Sequence, residues 1–166
     1  MTRRLTYAGF VLVGFELVKV MIVGPIKSFY VDTTFDSGLP FKSYRADVLA
    51  RHSNEFEACL LYLRDFMQAI DSNDIETIQE LRKHRNELAH DLVSKLETLA
   101  LNAFQPLWEK VDRTLFKLSN YRAHMEIGTD PNFSGIDWNK VKGHEYLIFE
   151  KVAKSVRLLN TIDNSG

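Results

Sequence analysis

Arg82-Lys83-His84-Arg85-Asn86-Glu87-Leu88-Ala89-His90-Asp91 lies inside a long helical pattern, and its reading decides the fold. Around it Ile75, Ile78, Leu81, Leu88, Leu92, Leu96 and Leu99 recur at threes and fours, the spacing of an amphipathic helix. At about 100° per residue, Ile78, Leu81, Leu88, Leu92, Leu96 and Leu99 form one apolar stripe. Arg85 falls within that stripe, where the spacing calls for leucine. Asn86 and His90 share a neighbouring face, with Lys83 close to it. A guanidinium in an apolar seam is costly unless it reaches a partner, a wet cleft or a subunit interface. The structural reading pairs Arg85 with Glu16 of the first helix and leaves Asn86 and His90 to bond locally. Ion networks of that kind are commoner than active sites. The chemical reading notes what the groups can do. Imidazole moves a proton near neutral pH, and arginine holds a phosphate bidentately and stabilises transition-state charge.

Working outward, the chain reads as helix throughout. A first helix is expected from near Arg4 to Gly24, or on through Pro25 with a kink towards Tyr30. Asp32–Pro40 is rich in turn formers. A second helix starts near Ser43 and carries Leu49, Phe56, Cys59, Leu60, Leu63, Met67 and Ile70. Asn73 with Glu76 fits a capping box opening the third helix, which meets no strong stop before Asn102. Pro106 suits the first turn of a fourth, whose pattern fades near Tyr121. Ile127–Gly143 is irregular, with Trp138 packing back on the core, and a last helix runs from about His144 to Leu159. No strand pattern or repeat stands out. The expectation is one all-α domain over residues 1–166, an up-and-down bundle of about five helices.

Composition narrows the function. Lys and Arg total 21 against 22 Asp and Glu, so the chain has no global basic signature of a nucleic-acid binder. Any RNA contact must come from a local patch, and Arg82, Lys83 and Arg85 stand together with no acid between them. The single cysteine, Cys59, excludes an internal disulfide and points to a reducing, cytoplasmic setting. Its neighbours Phe56, Leu60 and Leu63 make it a small core residue rather than a nucleophile. The apolar run Leu5–Val23 imitates a signal or anchor segment. Glu16 and Lys19 interrupt it, at roughly 2.5–3.5 kcal/mol per charge at the centre of a spanning helix. They are spaced to pair on one face, and no small-residue cleavage site follows. A core helix with no membrane role is therefore expected. His52 reads as a satisfied seam residue. His84, His124 and His144 show no ligand spacing with one another or with Cys59, so no metal and no cofactor is expected. There is no glycine-rich phosphate loop or serine elbow.

At Arg85-Asn86-Glu87-Leu88-Ala89-His90 the chain resembles the HEPN superfamily, whose hallmark is an arginine, a polar residue and, after four to six intervening residues, a histidine. Here four residues intervene. Phe15-Glu16-Leu17-Val18-Lys19 also looks like the Glu- and Lys-bearing first helix of many members. The strong match covers about a turn and a half of helix; the rest agrees in architecture only. The resemblance implies a metal-independent endoribonuclease of the toxin–antitoxin, antiphage or RNA-processing kind. It also implies a homodimer in which two motifs face each other across a cleft, and in some systems a cognate antitoxin protein. His90 would be the general acid or base and Arg85 would hold the scissile phosphate. Asn86 would orient either, Arg82 and Lys83 would steer RNA, and Glu16 would hold Arg85 in place. Other members of the superfamily have lost catalysis, so the competing class is a non-catalytic helical dimerisation or interaction module.

Overall fold

The computed structural model describes residues 1–161, with side chains through Leu159. These residues form seven α-helices and four short 3-10 turns, with no strand among them. The all-α expectation holds; about five helices does not, because two expected helices are each divided.

The helices are α1 (Thr2–Asp32), α2 (Tyr44–Asp47), α3 (Glu55–Asp65), α4 (Ser72–His90), α5 (Leu92–Thr98), α6 (Gln105–Ile127) and α7 (His144–Thr161). α1 lies most extensively against α7 and also packs on α3 and α4, while α6 packs on α4 and α7. One core unites α1, α3, α4, α6 and α7: Tyr7, Val11, Val18 and Ile22 of α1 meet Cys59 and Leu60 of α3, Ile78, Leu81 and Leu88 of α4, Trp108, Val111 and Leu115 of α6, and Phe149 and Val156 of α7. Gly14 lets the Trp108 ring of α6 lie close against α1, since a Cβ there would be 2.7 Å from that ring.

α1 continues through Pro25. Proline removes one helical hydrogen bond, yet the turns beyond it are held by packing. Ile26 is buried, and the Tyr30 hydroxyl donates to Asp47 Oδ2 at 2.9 Å and lies 3.2 Å from the Tyr62 hydroxyl. By length and composition α1 is also apolar enough to cross a membrane. Here nine of its residues are buried in the core, an arrangement compatible with a soluble protein. Its outer face leaves Val13 and Val20 52% and 54% exposed.

The expected second helix is broken at His52–Asn54. Asn54 caps α3 by accepting from the Glu57 N–H at 3.2 Å, the use asparagine favours over a helix interior. His52 is thus not a seam residue: it is exposed, and its Nδ1 accepts from the Asn54 N–H at 2.9 Å. Cys59 is fully buried, and burial pushes its thiol pKa up, as suits an inert core cysteine. In the irregular segment, Trp138 sets its ring edge-on to His124, 5.0 Å between centroids.

α4 opens two residues earlier than expected. The capping box is Asp71 with Asp74, not Asn73 with Glu76: Asp71 Oδ1 accepts from the Asp74 N–H at 2.9 Å and Asp74 Oδ2 from the Asp71 N–H at 3.0 Å. Asp74 wins because α6 satisfies the rest of its carboxylate, through Thr114 Oγ1 at 2.9 Å and Lys117 Nζ at 2.6 Å. Asp71→Ala is expected to cost about 1 kcal/mol, seen as a lower urea midpoint at unchanged slope. An unchanged midpoint would show that the cap contributes nothing.

Candidate functional site

α4 stops at His90, with Asp91 as its C-cap, although the leucine spacing runs on unbroken to Leu99. The chain re-forms as α5, whose last turn is anchored to α1: Arg4 Nη1 donates to the carbonyls of Leu96 at 3.0 Å and Glu97 at 2.5 Å. Leu99 and Leu101 then enter the core. His90 thereby ends a helix, and its side chain is exposed. None of the described hydrogen bonds reaches its ring.

The buried arc of α4 is Asp74, Thr77, Ile78, Leu81, His84 and Leu88. His84 therefore lies in the core. It is 4% exposed and stacks on Phe104 with ring centroids 3.6 Å apart, and its Nε2 lies 3.0 Å from the Tyr7 hydroxyl. That hydroxyl accepts from Trp108 Nε1 at 3.3 Å. Burial pushes the His84 pKa down to about 4 and raises that of Tyr7.

Arg85 stands at the edge of this arc, only partly buried. Its guanidinium extends past the Phe15 ring, 5.7 Å from the centroid, to Glu16 Oε1 at 3.4 Å. This is the snorkelling expected of a long cation on an apolar wall. Nη1 donates to Asn86 Oδ1 at 3.1 Å, and Nε is buried with no partner among the described residues. Glu16 also pairs with Lys19 at 2.8 Å, as the spacing on α1 suggested.

The outer face of α4 and the start of α5 form a shallow groove. Asn86 and His90 line it together with Arg82 and Lys83, and Glu87, Asp91 and Lys95 complete its rim. Arg85 does not line it. The expected trio is therefore only partly assembled in one chain: Asn86 and His90 share the groove, Arg85 turns towards α1, and Asn86 bridges the two sides.

The unopposed basic patch needs correction as well. Arg82 is paired with Glu57, which also accepts from Gln79 Nε2 at 2.8 and 2.7 Å, and Arg85 is paired with Glu16. Lys83 alone of the three has no ion pair among the described residues. Glu57 lies 25 residues from Arg82, so no local signal placed it there. Lys95, brought to the groove by the break at His90, restores a second cation. Among the described residues no three His, Cys, Asp or Glu side chains are grouped as a metal site requires.

Comparison with protein-family models, curated proteins and solved structures found no match.

Proposed function

We propose that this chain is a metal-independent endoribonuclease of the HEPN type, an up-and-down helical module acting as a homodimer in a toxin–antitoxin or antiphage setting. The observation that carries the reading is the last turn of α4. It sets Asn86 and His90 in an open, cation-bearing groove and ties them through Asn86 to an arginine at the edge of the core. In this reading His90 takes the proton from the ribose 2′-hydroxyl or gives one to the leaving 5′-oxygen. The 2′-oxygen attacks phosphorus as the P–O5′ bond breaks, leaving a 2′,3′-cyclic phosphate and a 5′-hydroxyl. Arg85, freed from or shared with Glu16, neutralises the phosphorane oxygens. Lys83, with Arg82 and Lys95, attracts the RNA backbone.

Arg85 and His90 leave one helix on different sides, so a second copy is needed to bring an arginine and a histidine to one phosphate. The outer face of α1 supports such a dimer. Val13 and Val20, two turns apart and half exposed, flank the Glu16–Arg85 pair. Light scattering at micromolar concentration should give a dimer for the wild type. Val13→Glu with Val20→Glu should weaken it roughly 100-fold or more, since like charges across an interface cost several kcal/mol. A wild-type chain that stays monomeric would remove the composite-cleft argument.

The decisive assay is cleavage of single-stranded RNA by the purified protein, free of any antitoxin and with EDTA present. A second reading, the non-catalytic dimerisation module, is favoured by the Arg85–Glu16 pair, which already satisfies the arginine within the chain. Activity lost with His90 separates the two.

A further inference from the structure

Away from the groove, and sharing no residue with it, a cleft of about 500 Å3 opens between the second half of α1, α3, the second half of α6 and the start of α7. Its floor is core: Ile22, Tyr62, Leu63 and Leu118 are each at most 6% exposed. Protein interiors are close-packed, and an apolar gap far larger than a methyl group leaves its lining without contacts. The size is that of a small-molecule site. Three of the chain's four methionines, Met21, Met67 and Met125, line it, and thioether side chains adapt to varied apolar shapes.

The polar end of the cleft has a sign. Arg122 Nε donates to Glu126 Oε1 at 2.7 Å and its Nη1 to Glu145 Oε1 at 3.3 Å. Two carboxylates thus share one guanidinium and leave one negative charge in excess; His144, exposed at the rim, and the Tyr62 and Tyr121 phenols, whose pKa values burial raises, are the other titratable groups lining the cleft. A second acceptor comes from the backbone. Pro25 has no N–H, so the Met21 carbonyl lacks its α-helical donor, and both residues line the cleft. Acidic and carbonyl acceptors beside an apolar, aromatic wall suit a cation that donates hydrogen bonds.

We propose that this cleft binds a small amphipathic organic cation, an aromatic or alkyl body ending in one ammonium group. The test uses 4-phenylbutylamine, 4-phenylbutanol and 4-phenylbutanoate, which share a body and differ in end charge. Protein carrying 13C-methyl methionine is titrated with each and followed by NMR. The amine should move the methyl signals of Met21, Met67 and Met125 and leave Met1 in place. It should bind roughly tenfold or more tightly than the carboxylate, the ratio that about 1.4 kcal/mol of charge preference gives. Glu126→Gln with Glu145→Gln leaves Arg122 uncompensated. It should reverse the order, so that the carboxylate becomes the tighter probe while the alcohol is unchanged. Ala123→Trp, which fills the cleft, should abolish binding of all three, with circular dichroism confirming the fold. If that variant does not fold, the charge reversal decides. No shift at millimolar amine, equal binding of amine and carboxylate, or an order unchanged in the double variant would each overturn the proposal.

Discussion

His90→Ala is expected to lower RNA cleavage by about 10²–10⁴-fold, the usual effect of removing one general acid–base group. The protein should stay folded. His90 is exposed, ends α4 and makes no side-chain hydrogen bond among the described residues, so its loss leaves no cavity and no orphaned partner. Arg85→Ala should also be inactive but is a less clean test: it strips Glu16 and Asn86 of a partner, uncovers Phe15 and alters the surface where the second copy is expected. The assay compares wild type and His90→Ala on single-stranded RNA, with circular dichroism as the folding control. Cleavage should persist in EDTA and yield 2′,3′-cyclic phosphate ends. Equal cleavage by both proteins would indicate a contaminant or another site. A wild type inactive on varied RNAs would transfer the assignment to the dimerisation module.

The second large effect concerns stability. His84 is buried as the neutral ring, its pKa pushed to about 4 mainly by burial, with Glu87 raising it and Lys95 lowering it further. Unfolded, it returns to about 6.5. Below that value the unfolded chain binds a proton that the folded chain refuses, so folding stability falls as pH drops from about 6.5 towards 4. The contribution is complete above pH 6.5. About 2 kcal/mol is lost by pH 5 and about 3 kcal/mol by pH 4. Protonation would also fix a donor on Nε2, 3.0 Å from a Tyr7 hydroxyl that already accepts from Trp108. Urea unfolding at several pH values should show this slope in the wild type and its absence in His84→Gln between pH 6.5 and 5, above the range where most carboxylates titrate. A flat wild-type profile in that window, or the same slope in the variant, would show that His84 is protonated inside the fold.

Several features were legible in the chain because they depend on residues within a few turns of one another. The three-and-four spacing of leucines dictates helix and excludes strand. Glu16 and Lys19, three apart, pair on α1. Cys59, set among Phe56, Leu60 and Leu63, is buried. Asn86 and His90, four apart on α4, share a groove. The Arg85–Glu16 pair also followed, since a guanidinium in an apolar seam must find a carboxylate and α1 offers one.

What tertiary packing alone decided lies at the edges of faces and the ends of helices. Periodicity gives the direction of a buried face but not its width: Tyr7, Phe104 and Trp108 extend the α4 core to His84, while Phe15 and Glu16 let Arg85 reach out. A leucine repeat has no stop in it. α4 ends at His90 because Leu99 and Leu101 pack elsewhere and Arg4 holds the end of α5. The capping box shifted to Asp71 and Asp74 because α6 supplied Thr114 and Lys117. The basic patch lost Arg82 to Glu57, a carboxylate distant in sequence. Local spacing determines which way a side chain faces, and its partner there comes from another segment of the chain, through contacts that exist only after the helices have docked.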